Sequence, residues 1–215
     1  MEDVLEVYAA SPEPGQVSPE PVRLCMDERP CQLLEDILVP LPMKPGQSKR
    51  QDYEYKRNGT CVIFMAYDID RGIRYAAVKE RRTKADYAAF IDEILKQHYP
   101  QAKQVELVQD NLNTHNYGSF YENLPLERAA ELRQMIRFHY TPKHGSWLNM
   151  VEIEFSALSR QCLDERIGTM EKLKQCLEPW LKERNDKQVK INWSFTVNQA
   201  REKLASKYKN AKFKN

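Results

Sequence analysis

The residues whose type and spacing best suit chemistry are acids placed at the ends of apolar runs. Asp27 closes "PVRLCMDE" and Asp110 closes "VELVQD", while Glu152 and Glu154 lie in "FHYTPKHGSWLNMVEIEFSAL". Residues two apart on a helix point to nearly opposite sides, because each step turns about 100°. Glu152 and Glu154 therefore cannot serve one site together. Glu152 forms a polar stripe with Asn149, Ser156 and Ser159, beside Leu148, Val151, Phe155 and Leu158. It is expected to face inward, toward a sheet edge, and Glu154 to share the general surface. Three converging carboxylates repel one another unless a cation neutralises them, and carboxylate oxygens favour hard cations such as Mg²⁺ or Mn²⁺. Two such ions suit in-line attack at a phosphodiester. The bland alternative is that these are ordinary strand-end and helix-surface acids.

The elements that must position these acids read as follows. "PVRLCMDE" is a short strand, and "TCVIFMAYDID" and "IRYAAVKERR" form a hairpin about the turn "RG". "KADYAAFIDEILKQHYP" carries Tyr87, Phe90, Ile91, Ile94 and Leu95 at helical spacing and stops at Pro100. "VELVQD" is a buried type of strand, "LPLERAAELRQMI" a helix and "RFHYTP" a strand. Helices follow in "SWLNMVEIEFSALSRQCL", in "TMEKLKQCLEPWLKERN" and near the C-terminus. This order predicts an α/β domain with a mixed sheet, the hairpin sitting beside strands joined by helical crossovers. If "PVRLCMDE" and "VELVQD" are parallel neighbours, Asp27 and Asp110 share the edge where the strands end, a usual place for ligand sites.

A chain of 215 residues fits one domain with a real core. The net charge of +2 announces no nucleic-acid partner by itself. Local basic clusters do occur, in "KERRTK" and in "REKLASKYKNAKFKN", and either keep the surface soluble or meet phosphates. The five cysteines form no CxxC pair, which argues against zinc and for reduced, cytosolic thiols. No apolar run approaches membrane-spanning length, and no signal peptide is legible. Residues 1–21 contain a possible helical turn, "MEDVLEVYAA", and then "SPEPGQVSPEP", and the whole segment reads as a linker.

The blocks "CMDE", "VQDNLNTH" and "HYTPKHGSWLNMVEIE" resemble the three catalytic blocks of mariner-type DDE transposases, in particular the bacterial insertion-sequence branch. The resemblance covers roughly Val22 to Tyr208. It implies an RNase H-like (retroviral-integrase-like) fold with a five-stranded sheet, taken as residues 22–208, with a basic tail over 209–215. It further implies a DDE triad at Asp27, Asp110 and Glu152 holding two Mg²⁺ ions, for which Mn²⁺ can substitute. The implied partners are transposon-end and target DNA, with a homodimer as the active complex. The implied setting is a bacterial cytoplasm, with the protein on the nucleoid. "LPLERAAELRQMI" lengthens the interval between Asp110 and Glu152 beyond the compact mariner pattern. Such transposases also carry N-terminal helix-turn-helix modules. None is legible before the linker, so the chain is expected to be the second half of a split gene or a truncated copy, a separate helix-turn-helix polypeptide being a possible partner. A same-fold nuclease without strand transfer and an inactive DNA-binding remnant stay open as alternatives.

Several further residues have two readings. Asn111 and Asn113 either support the metal site or a phosphate, or shape a turn. His115 is either a donor to the scissile phosphate or a satisfied strand-end histidine. Lys143 and His144 are candidate phosphate contacts, as are Arg81 and Arg82, and Asn149 is a candidate neighbour of the metal site. Trp147 is expected to pack beneath the Glu152 helix, with base stacking as the alternative.

Overall fold

The computed structural model describes residues 1–10, 21–48 and 50–205. Its centre is a five-stranded sheet in the order β3-β2-β1-β4-β5, built from β1 (Val22–Asp36), β2 (Tyr55–Asp68), β3 (Ile73–Lys79), β4 (Val105–Gln109) and β5 (Ile136–Tyr140). β1 pairs antiparallel with β2, and β2 with β3, whereas β1–β4 and β4–β5 are parallel. The expected hairpin is β2–β3, and Gly72 supplies the positive φ of +67° that its turn needs.

Helices cover both faces. On one lie α2 (Lys84–His98), α3 (Tyr117–Asn123) and α4 (Leu126–Met135); on the other lie α1 (Glu2–Ala9), α5 (Met150–Gln161), α6 (Met170–Asp186) and α7 (Val197–Lys203). α2 starts at a capping box, with Thr83 and Asp86 bonding each other's backbone N–H. Side chains alternate across a strand, and β1 follows this rule. Cys25 and Leu33 enter the core under α1, α5 and α6, whereas Leu24 and Met26 enter the core under α2 to α4. Asp27 consequently belongs to the α5 face and its neighbour Glu28 to the α2 face.

Two expectations need correcting here. β1 does not end at Glu28. It runs on to Asp36 as one arm of a long antiparallel pair with β2. Asp27 is thus mid-strand, although it lies just beyond the last residue that pairs with β4. The first residues are not linker either. Val4, Leu5 and Val7 of α1 are buried in the core, and the Tyr8 hydroxyl donates to the Leu148 carbonyl at 2.6 Å. Arg23 donates to the Val7 carbonyl at 2.6 Å and so secures the end of α1. The proline-rich stretch over 11–20 and the basic tail beyond 205 lie outside the described residues. Among the described residues no helix is long and apolar enough to cross a membrane.

Candidate active site

The β1–β4 register decides where the two aspartates stand. Leu24 pairs with Leu107 and Cys25 with Val108. Continuing that register past the ladder sets Asp27 beside Asp110, which immediately follows β4. The antiparallel extension of β1 does not disturb this, because the pairing with β4 has already stopped.

The third acid arrives on α5, whose first turn contains Glu152. Asn149 caps this helix, its Oδ1 accepting from the Val151 N–H at 3.2 Å. Its Nδ2 donates to the Met26 carbonyl at 2.8 Å and to Asp27 Oδ2 at 3.2 Å. One fully buried side chain thus starts α5 and ties that start to Asp27. Two residues further along β1, Arg29 donates to Ser159 and to the Phe155 carbonyl, so the polar stripe of α5 lies along β1 as expected. Glu152 stands one turn after Asn149 on this stripe, exposed, its N–H donating to the Asn149 carbonyl at 3.1 Å, and its carboxylate makes no hydrogen bond or ion pair among the described residues.

Electrostatics tie the three acids together. Burial raises the Asp27 carboxyl to about 7. The Glu28 N–H pulls the other way, and the negative charges of Asp110, Glu152 and Glu28 add to the rise. The Asp110 carboxyl, by contrast, is held below its ordinary value: burial pushes it up, but the hydrogen bond and charge of His115 outweigh burial, helped by the Leu112 N–H and Arg82. His115 itself is buried, which opposes its charge, yet hydrogen bonds to Asp110 and Glu28 raise it to about 9. Among the described residues no three His, Cys, Asp or Glu side chains close around one point as a finished metal cage. The donor chemistry nevertheless fits divalent cations. The three groups are all carboxylates, the buried one resists ionising for want of a counter-charge, and Glu152 is free to swing.

The other sequence candidates separate clearly. His115 is the buried, satisfied histidine, while Asn111 and Asn113 are exposed at the turn that follows Asp110. That turn is held by Asp110 itself, whose Oδ1 accepts from the Leu112 N–H at 3.1 Å. Arg82 is exposed and close enough to lower Asp110; Arg81 is exposed beside it. Lys143 and His144 are exposed in a tight turn closed by the Gly145 N–H on the Pro142 carbonyl at 2.8 Å, with His144 at φ +63°. A Cβ on Gly145 would come within 2.6 Å of the Pro142 ring, so that position requires glycine. Trp147 does not pack beneath α5; it is 49% exposed and meets Phe195 edge-on at 5.4 Å.

Glu154 reverses its expectation. It is fully buried and forms a bidentate pair with Arg74 of β3 at 2.8 Å, and a second with Arg184 of α6 at 3.0 Å. Burial pushes its carboxyl up, but the two guanidinium groups hold it below its ordinary value. Sequence reasoning also missed Glu28, for which the only signal was its place next to Asp27.

A family model described as DDE superfamily endonuclease matches residues 22–174. The chain belongs to the DDE superfamily endonucleases. No curated protein matches it. Among solved structures this endonuclease resembles a pre-cleavage Mos1 transpososome, with 15% identity over 80% of the chain and a TM-score of 0.52. It also resembles the Mos1 mariner paired-end complex with Mn, with 16% identity over 77% of the chain and a TM-score of 0.50. These likenesses give the fold, an RNase H-like core with the mixed five-stranded sheet described above. The endonuclease covers 57% of the first of those chains and 49% of the second, about half their length.

Proposed function

We propose that this endonuclease is the catalytic domain of a mariner-type transposase, which cuts DNA at transposon ends and joins the freed 3′ end to target DNA. What supports this reading is the β1–β4 register that runs Asp27 alongside Asp110, the charges of Asp110 and Glu152 felt at Asp27, and Asn149 linking the helix of Glu152 to the strand of Asp27. Under this reading those three carboxylates hold divalent cations, Mg²⁺ with Mn²⁺ as a substitute. Bound there, a pair of such ions supplies activation of the attacking oxygen and stabilisation of the leaving oxygen. The chain's own part is to preset the ligands. Asn149 fixes Asp27, His115 fixes Asp110, and the exposed Glu152 completes the set when cation and DNA arrive. Arg82, close to Asp110, offers positive charge to the DNA backbone near the cut. Under this reading water and then the 3′-hydroxyl are the nucleophiles.

The likeness to the Mos1 mariner paired-end complex supports transposon-end DNA as the partner, and a homodimer is the working state under this reading. Because the chain spans about half of those transposases, we assign end recognition to a helix-turn-helix module acting in cis or as a second polypeptide. Under the insertion-sequence reading the protein works on the nucleoid, in the cytoplasm of a bacterial cell. The test is a joining assay: the full chain is incubated with Mn²⁺, a duplex pre-cut to expose a transposon-end 3′-hydroxyl, and target plasmid. Covalently joined product is expected. Nicks without joining would instead make the chain a nuclease on the same fold.

A further inference from the structure

Glu28 follows Asp27 directly, but strand alternation sends it to the other face of the sheet. There it is 9% exposed, with its Oε1 2.8 Å from His115 Nε2. The opposite ring nitrogen of His115, Nδ1, lies 2.7 Å from Asp110 Oδ1. A chain of three side chains, Glu28–His115–Asp110, thus runs from the middle of β1 to the end of β4. Its first two members are shut away from solvent, and its last has a side chain 40% exposed.

The ring has little freedom to move. It packs on Tyr87 with centroids 4.8 Å apart. The His115 carbonyl accepts from Gln109 Nε2 at 3.2 Å and from the Tyr140 hydroxyl at 2.8 Å. Gln109 is held in turn by the Tyr87 hydroxyl at 2.7 Å. Both fixed bonds to the Asp110 carboxylate, from His115 and from the Leu112 N–H, fall on Oδ1. Oδ2 makes no hydrogen bond or ion pair among the described residues.

We propose that Glu28 and His115 are positioning residues for Asp110, locking its carboxylate so that Oδ2 is preset to bind a divalent cation. This rests on the metal-dependent reading above. Outer partners of this kind orient a ligand before the ion arrives, and their loss commonly weakens metal binding about 10–100-fold. A purely structural role would instead appear as lost stability with unaltered metal affinity.

The experiment is calorimetric titration of the full chain with Mn²⁺ alone, alongside thermal melting in chelator. The main variant is the double change Glu28→Leu/His115→Leu, which removes both charged partners together and leaves no orphan in the interior. Its Mn²⁺ affinity is expected to fall about 10–100-fold, with DNA cleavage recovering most of its rate once Mn²⁺ saturates. His115→Asn, which keeps a donor for Asp110, is expected to retain most of the affinity. Wild-type affinity in the double variant overturns the inference. If that variant does not fold, Glu28→Ala, which removes the acceptor that holds the His115 ring, is titrated instead, and wild-type affinity there has the same meaning. Failure of the wild-type chain to bind Mn²⁺ overturns the metal reading itself, and so separates that failure from this one.

Discussion

Glu152 and Glu154 stand two residues apart on α5 and live in opposite environments: Glu152 is exposed beside Asp27, and Glu154 is sealed between Arg74 and Arg184. Their roles divide accordingly. Glu154 anchors α5 to β3 and α6, which fixes the helix's rotation and so aims Glu152 at the sheet edge. Glu154→Gln leaves two guanidinium groups short of a counter-charge, Arg74 among them fully buried. Breaking a buried pair in this way costs about 3–5 kcal/mol, on the order of 10 °C in melting temperature for a chain of this size. Glu152→Gln is expected to leave the melting temperature within about 1 °C, as a surface change does, and to abolish cleavage. Thermal melting together with a nicking assay reads both arms.

How much of this was legible in the sequence differs between the two glutamates. Positional pattern put Glu152 on one stripe with Asn149 and Ser159, and those two do face β1. The same pattern held a warning about Glu154. Met150, Val151, Phe155 and Leu158 are all buried, and Glu154 sits three residues after Val151 and four before Leu158, inside that stripe. What the pattern could not supply was the partner. Arg74 comes from β3 and Arg184 from α6, and only the packed fold brings them to one carboxylate. The length of β1 was hidden for a different reason. Pro30 ordinarily argues against a central strand, but beyond Cys25 one edge of β1 has no β4 partner, so a residue without an N–H can sit there. α1 was masked by the proline-rich tract that follows it, although Val4, Leu5 and Tyr8 already had helical spacing.

The Asp27 carboxyl gives a pH dependence of defined sign. Its pKa is raised by burial and by neighbouring acids to about 7 in the folded chain, from about 3.9 when unfolded. Between those values the folded state holds the extra proton, so stability from this group falls as pH rises through the window. Asp27→Asn removes the ionisation. In chelator, the variant's advantage in melting temperature over wild type is expected to grow from pH 4 to pH 7 and then level off. Mg²⁺ should shrink that advantage at neutral pH, because the ion supplies the missing counter-charge. A difference independent of pH would contradict the assigned environment.

Asn149→Ala removes a helix cap and the tether to Asp27 in one step. The cap alone contributes about 1 kcal/mol, a modest loss of stability. The loss of cleavage is expected to be larger than that figure explains, because Asp27 and the Glu152 turn would no longer be held together. Asn149→Asp restores the cap but sets a fourth carboxylate against Asp27. Buried there without a counter-charge, and with the donor to Met26 lost, it is expected to lower stability further at neutral pH and to recover no activity, as measured by chemical denaturation and nicking rate.

Arg82 is assigned to the DNA backbone rather than to bases. Arg82→Gln should weaken binding to all duplexes alike and reduce the slope of log affinity against log salt by about one. Fluorescence anisotropy over a salt series, with unrelated duplexes, measures this directly. A change confined to one duplex sequence would mean that Arg82 reads bases.

The most direct measurement is divalent-cation-dependent nicking of a supercoiled plasmid by the full chain, compared with Asp27→Asn, Asp110→Asn and Glu152→Gln, each first shown by circular dichroism to be folded. The wild-type chain should nick with Mg²⁺ or Mn²⁺ and not with chelator, and each of the three variants should lose at least about 100-fold in rate, the order expected when a ligand essential to charge stabilisation is removed. Folded variants that nick as fast as the wild type would contradict the assignment of these three carboxylates to the reaction.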